Sequence, residues 1–101
     1  MDGQIKKIAP IHPGEILQEE FLTPMGLSAY ALAKATGMTQ TRLSEILKGK
    51  RAVTADTALR LGRAFNMSAD FWMTLQTHYD LEVARDEVGK KIEEEVKVVA
   101  A

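Results

Sequence analysis

The sequence predicts an all-α domain of five helices with an extended N-terminal arm, and three observations carry that prediction. Apolar residues recur at three- and four-residue spacing, the period at which side chains share one helix face. Pro, Ser or Thr stands where each periodic stretch begins, and Gly or Asn where most of them end, which is the chemistry of helix starts and left-handed exits. The chain has 101 residues, 46% hydrophobic and 27% charged, which suits one globular core and leaves no room for a deep multi-substrate cleft. No sheet is required.

Residues 1–11, with Gly3, Pro10 and the spaced Ile5, Ile8 and Ile11, read as the arm. The first helix opens at Pro13, whose fixed φ suits a first helical position, and carries Ile16, Leu17, Phe21 and Leu22 inward until Thr23, Pro24 and Gly26 end it. Ser28 caps a short second helix with Ala29, Leu32 and Ala33 on its apolar stripe and Gly37 as its exit. Thr39 caps a third, with Leu43, Ile46 and Leu47 inward and Gly49 as its stop. Thr54 caps a fourth, in which Ala58, Leu59, Leu61, Gly62 and Phe65 face the core, Asp56 favours the helix dipole and Asn66 takes the exit. Ser68 caps a fifth that carries Phe71, Trp72, Leu75, Tyr79 and Val83 and extends to about Gly89. The expected organisation is an arm at 1–11, a helical domain at 12–88 and a C-terminal tail at 89–101, whose charged run Lys90 to Glu95 and apolar end fit no single structure.

Several function classes drop out. Without cysteine there is no disulfide scaffold, thiolate metal site or cysteine nucleophile. No apolar run approaches the roughly 20 residues that span a bilayer, so the expected location is the cytoplasm and no membrane partner is expected. His12 and His78 stand without a second ligand at metal-binding spacing, and His12 before Pro13 suits a cap or turn. No serine sits in a glycine-flanked elbow, so an enzyme is not expected, and neither a metal nor any other cofactor. Phe71, Trp72, Leu75 and Tyr79 have the spacing of an ordinary buried helix face.

The net charge of -1 conceals an uneven distribution: residues 1–33 carry -2, residues 34–63 carry +5 and the remainder -4. A nucleic-acid footprint needs such a local basic patch, since phosphate neutralisation acts within a Debye length of roughly 8 Å.

At the start of the basic segment and within it, Ala33, Gly37, Leu43 and Ile46 fall at the spacing of two short helices that cross closely, with a small residue at the contact and a permissive one in the turn. This resembles a helix-turn-helix. With Leu43, Ile46 and Leu47 inward, the third helix presents Thr41, Ser44, Glu45 and Lys48, and Gln40 projects from its amino end. Gln40 and Thr41 are the first candidates for reading base edges, since Gln pairs with adenine and Thr offers a methyl to thymine. Arg42 and Ser44 are further base-reading candidates. Glu45 meets cytosine amino groups, pairs with a neighbouring base, or suffers phosphate repulsion, and the sequence leaves these open. Lys48, Lys50 and Arg51, with Ser28 and Thr39 at helix starts, are the expected phosphate contacts.

The blocks His12-Pro13-Gly14-Glu15-Ile16-Leu17, Ala55 to Leu61, Phe71 to Gln76 and Tyr79-Asp80-Leu81 are more specific than the bare motif. From His12 to Ala84 the chain is similar to the HigA family of antitoxins, also described as VapI-like, in the phage-repressor-like (XRE/Cro-CI) helix-turn-helix class. The resemblance implies a compact lambda-repressor-like DNA-binding domain. It also implies a repressor of its own operon, acting on a symmetric operator, that neutralises a HigB-type, ribosome-dependent, mRNA-cleaving toxin. A solitary regulator with no toxin is the alternative, and an interaction module that has lost DNA binding is a third reading. More large apolar residues crowd the fifth helix than one small core needs, which predicts a homodimer through Leu75, Tyr79, Leu81 and Val83 on an inverted-repeat operator. Against a basic, phosphate-attracting toxin, the acidic Glu15, Glu19 and Glu20 of the first helix are the candidate contact, with Glu93 to Glu95 a second acidic cluster.

Overall fold

The computed structural model describes residues 9–100, so residues 1–8 of the expected arm and Ala101 lie outside the described residues. Helix α1 is continuous but changes register: Pro13–Ile16 is α-helical, Leu17–Leu22 is π-helical and Thr23–Met25 is α-helical. Then follow α2 (Ala29–Thr36), α3 (Gln40–Leu47), α4 (Ala55–Ala64) and α5 (Ala69–Glu95). Among the described residues there is no strand.

The helix starts follow the side-chain chemistry. His12 Nδ1 accepts the Gly14 amide at 2.9 Å, and Pro13 occupies the first turn, where its missing N–H costs nothing. Ser28, Thr39, Thr54 and Ser68 each accept a backbone amide from the turn that they open. Asn66 takes the left-handed conformation expected of it, at φ 53°.

Two ends differ from the expectation. Thr23 and Pro24 do not stop α1, which runs on to Met25 and ends at Gly26, left-handed at φ 61° as expected of it. The Thr23 amide donates to the Gln18 carbonyl, five residues back, and this wider π turn opens the space that the Pro24 ring would otherwise crowd. At the other end α5 passes through Gly89 and stops only at Glu95, before the extended Val96. Good helix formers, with Lys91 and Glu95 paired at 3.9 Å across one turn, outweigh a single glycine. From Ala84 onward every described residue but Gly89 is exposed, so this end of α5 stands away from the core.

The core gathers Leu17 and Leu22 of α1, Leu32 of α2, Leu43 and Ile46 of α3, Leu61 of α4 and Trp72 of α5. Trp72 is fully buried, with the Phe21 ring 5.1 Å and the Phe71 ring 5.0 Å from it. Ala29 and Leu59, expected on buried stripes, are exposed. In α4 the buried face is Ala58, Leu61 and Gly62, and Leu59 lies about 100° around the helix from Ala58. Gly14 sets how closely α1 meets α3: a Cβ there would lie 1.8 Å from the Ile46 carbonyl oxygen.

Candidate nucleic-acid interface

The geometry begins with the turn between α2 and α3. Gly37 sits at φ 74° in the left-handed region, and the Met38 amide donates back to the Ala33 carbonyl at 3.1 Å. Thr39 is extended, and its hydroxyl accepts the Arg42 amide at 3.1 Å, so a new helix starts within three residues of the old one. Ala33 is buried where the helices meet, as a close crossing requires.

With Leu43 and Ile46 fully buried, α3 turns Gln40, Thr41, Ser44, Glu45 and Lys48 outward. Together with Lys50 they line one shallow concavity, bordered by Ala29 and Tyr30 of α2. Five expected DNA contacts, Gln40, Thr41, Ser44, Lys48 and Lys50, therefore share one surface. Ser28 and Thr39 hold the caps of α2 and α3.

Two arginines are placed differently from the expectation. Arg42 points at the start of α4, where its Nη2 donates to Asp56 Oδ1 at 2.8 Å and to the Thr57 hydroxyl at 2.5 Å. It follows Thr41 on the helix by about 100°, which carries it off the reading face. Arg51 folds back on Glu45, with Nε at 2.8 Å and Nη2 at 2.6 Å from the same oxygen, Oε1. Of the alternatives for Glu45, the structure shows the neighbouring base.

Asp56 also accepts from Arg60 Nε at 2.7 Å, and Arg60 Nη1 donates to the Thr36 carbonyl at 2.8 Å. One network thus ties the end of α2, the first turn of α3 and the start of α4. Hydrogen bonds from Arg60 first, then from Arg42, hold the Asp56 carboxyl below its ordinary range. A second polar link is buried: Gln76 of α5 accepts the Val53 amide at 2.7 Å and donates to Asp80 at 2.8 Å. It pins the segment after α3 that carries Lys48 and Lys50. Burial lowers the His12 imidazole from its usual 6.5, while the Arg51 backbone and the Asp80 charge pull the other way. Sequence reasoning missed Arg60 and Gln76. The signal for Gln76 was a polar residue one turn after Trp72 on the same apolar face.

The remaining candidates are scattered. Leu75 packs on the core, the Tyr79 ring meets His12 edge-on at 4.9 Å, and Val83 is half-buried. Leu81 is 48% exposed. Glu15, Glu19 and Glu20 are exposed along α1.

The profile of the helix-turn-helix family matches residues 18–72, more than half of the chain. Among curated relatives, virulence-associated protein I of Dichelobacter nodosus is 56% identical over 77 residues, 76% of this chain and 71% of that protein. Antitoxin HigA-1 of Vibrio cholerae is 36% identical over 93 residues, covering 92% and 84% of the two chains. The chain belongs to the helix-turn-helix family of the HigA antitoxins. Of solved structures in this family, Pseudomonas aeruginosa antitoxin HigA with the higBA promoter superposes at a TM-score of 0.87 and 45% identity, over 90% of this chain and 99% of that one. The HigA-family antidote protein of Coxiella burnetii gives 0.87 at 47% identity, over 91% and 100%. The all-helical arrangement is thus that of HigA antitoxins, a family of DNA-binding regulators rather than of enzymes. Among the described residues no helix is long and apolar enough to cross a membrane.

Proposed function

We propose that this protein is the antitoxin of a two-component toxin module in the cytoplasm, a homodimer that binds an inverted-repeat operator, represses its own operon and neutralises a HigB-type toxin. The observation that carries the reading is the shared face of Gln40, Thr41, Ser44, Lys48 and Lys50 on and just after α3. Gln40 and Thr41 read base edges, Ser44 contacts an edge or the backbone, and Lys48 and Lys50 grip phosphates together with the α2 and α3 starts at Ser28 and Thr39. Arg42 and Arg51 leave these roles for their carboxylate partners.

The dimer rests on the apolar stripe that α5 leaves uncovered: Leu81, Val88 and Ile92 are exposed and lie seven and four residues apart, on one side of the helix. Leu81 belongs to this stripe, while Tyr79 and Val83 lie about 160–200° around the helix from it, on the side of the buried Trp72, so that Leu75, Tyr79 and Val83 join the dimer only from its flank toward the core. A two-fold dimer sets two α3 helices roughly 34 Å apart, one helical turn of DNA. Glu15, Glu19 and Glu20 face a basic toxin from α1.

Co-expression with the protein encoded beside it, followed by sedimentation equilibrium and footprinting of their own promoter, tests the whole reading. The expected result is a dimer that co-purifies with a small basic partner and protects an inverted repeat. A protein that stays monomeric at high micromolar concentration, or that protects no promoter sequence, contradicts it. Promoter protection without a partner leaves the solitary regulator.

A further inference from the structure

Glu45 is the only acid among the described residues lining the α3 concavity. A carboxylate aimed at a phosphate-lined groove weakens binding by repulsion unless a cation cancels its charge and a base donates to it. The structure supplies the cation. Arg51 places Nε and Nη2 on Oε1, at 2.8 and 2.6 Å, so the pair carries no net charge. Both Arg51 nitrogens approach Oε1, which leaves Oε2 able to accept a hydrogen bond.

A carboxylate can only accept hydrogen bonds, and the major groove offers two donors, the amino groups of cytosine and adenine. Beside the adenine amino group stands N7, an acceptor that repels the carboxylate. Guanine shows two acceptors, and thymine an acceptor and a methyl. Cytosine alone sets its donor beside a non-accepting C–H. We propose that Glu45 is a base-reading residue that selects cytosine, and that Arg51 is a positioning residue that neutralises and orients it rather than a phosphate contact. This rests on the DNA-reading role of α3 given above. Glu45 follows Thr41 by one helical turn, about 5.4 Å, so the cytosine lies within about two base pairs of the step that Thr41 reads.

The test is selection of binding sites from randomised duplexes by the full-length protein, Glu45→Gln, Arg51→Ala and the double variant, followed by binding titrations on the selected duplex. The parent should prefer cytosine about tenfold at one position of each half-site. Glu45→Gln should lose that cytosine, or exchange it for adenine, and keep the rest of the profile. Arg51→Ala should weaken binding in the parent, by about tenfold where the bare carboxylate faces phosphates, and have little effect in the Glu45→Gln background. An unchanged profile for Glu45→Gln, or an equal loss from Arg51→Ala in both backgrounds, overturns the inference while leaving DNA reading intact. A parent that enriches no sequence overturns the DNA reading itself.

Discussion

The Arg42 guanidinium lies 2.8 Å from the Asp56 carboxylate, so the helix that carries the reading face is tied to the start of the helix behind it. Arg60 shares the same carboxylate and reaches the Thr36 carbonyl, which extends the tie to the end of α2. The angle between the two helices of the motif is therefore held by polar contacts outside it as well as by the Ala33 crossing and the Gly37 turn. Asp56→Asn removes the charge on which both arginines converge.

The sign of its pH dependence follows from the lowered Asp56 carboxyl. An acid depressed in the fold contributes stability above its ordinary 3.8, and that contribution is lost as pH falls through the folded value. The stability difference between the parent and Asp56→Asn should be level near neutral pH and shrink as pH drops below 3.8. Urea unfolding of both proteins across acidic pH checks this. A difference that stays constant down to pH values where the parent still folds would contradict it.

His12 gives a second pH effect. Its neutral Nδ1 accepts the Gly14 amide, and burial keeps the ring from protonating as readily as in the unfolded chain. Below the ordinary 6.5 the unfolded chain takes up a proton that the fold resists, so this part of the stability is full above 6.5 and declines as pH falls toward the folded value. Ring titration by NMR should place the His12 midpoint below 6.5, and a midpoint at or above it would contradict the burial argument.

Two glycines should respond with opposite sign. A Cβ at Gly14 falls 1.8 Å from the Ile46 carbonyl, backbone that a rotamer change cannot move, so Gly14→Ala should cost at least about 3 kcal/mol or prevent folding. At Gly89, inside α5, a Cβ meets only Arg85 Cβ at 3.8 Å, and Gly89→Ala should add roughly 0.5–1 kcal/mol. Denaturant midpoints of the two variants decide, and a Gly14→Ala protein as stable as the parent would refute the close approach.

Salt dependence separates the cations. Lys48→Ala with Lys50→Ala should reduce the slope of log affinity against log salt by about two units, whereas Arg42→Ala should leave it unchanged. A reduced slope in Arg42→Ala would mean that Arg42 leaves Asp56 for a phosphate on the DNA.

The caps at Ser28, Thr39, Thr54 and Ser68, and the exits at Gly37 and Asn66, were legible because each is decided by neighbours within four residues. The outward set on α3 was legible for the same reason: helical period and the inward Leu43, Ile46 and partly buried Leu47 determine it. Arg42 and Arg51 were not, because their partners are set by how the helices pack; Asp56 lies 14 residues from Arg42 in the chain. The Gln76 bond to Val53 spans 23 residues and shows in sequence only as an ill-placed amide. The length of α5 was not legible because the run of helix formers around Gly89 outweighs one glycine, and the passage of α1 through Pro24 was not because a π register lets a helix pass a proline; its end at Gly26 was.

Sequence-selective reading by the amino end of α3 is the centre of the account, and the affinity of Gln40→Ala/Thr41→Ala for the operator and for a scrambled duplex, at one fixed salt concentration, tests it most directly. The variant should bind the scrambled duplex as the parent does and lose roughly 1–3 kcal/mol of discrimination for each base step that it no longer contacts. A variant that keeps the parent's full preference for the operator would show that the amino end of α3 does not read it.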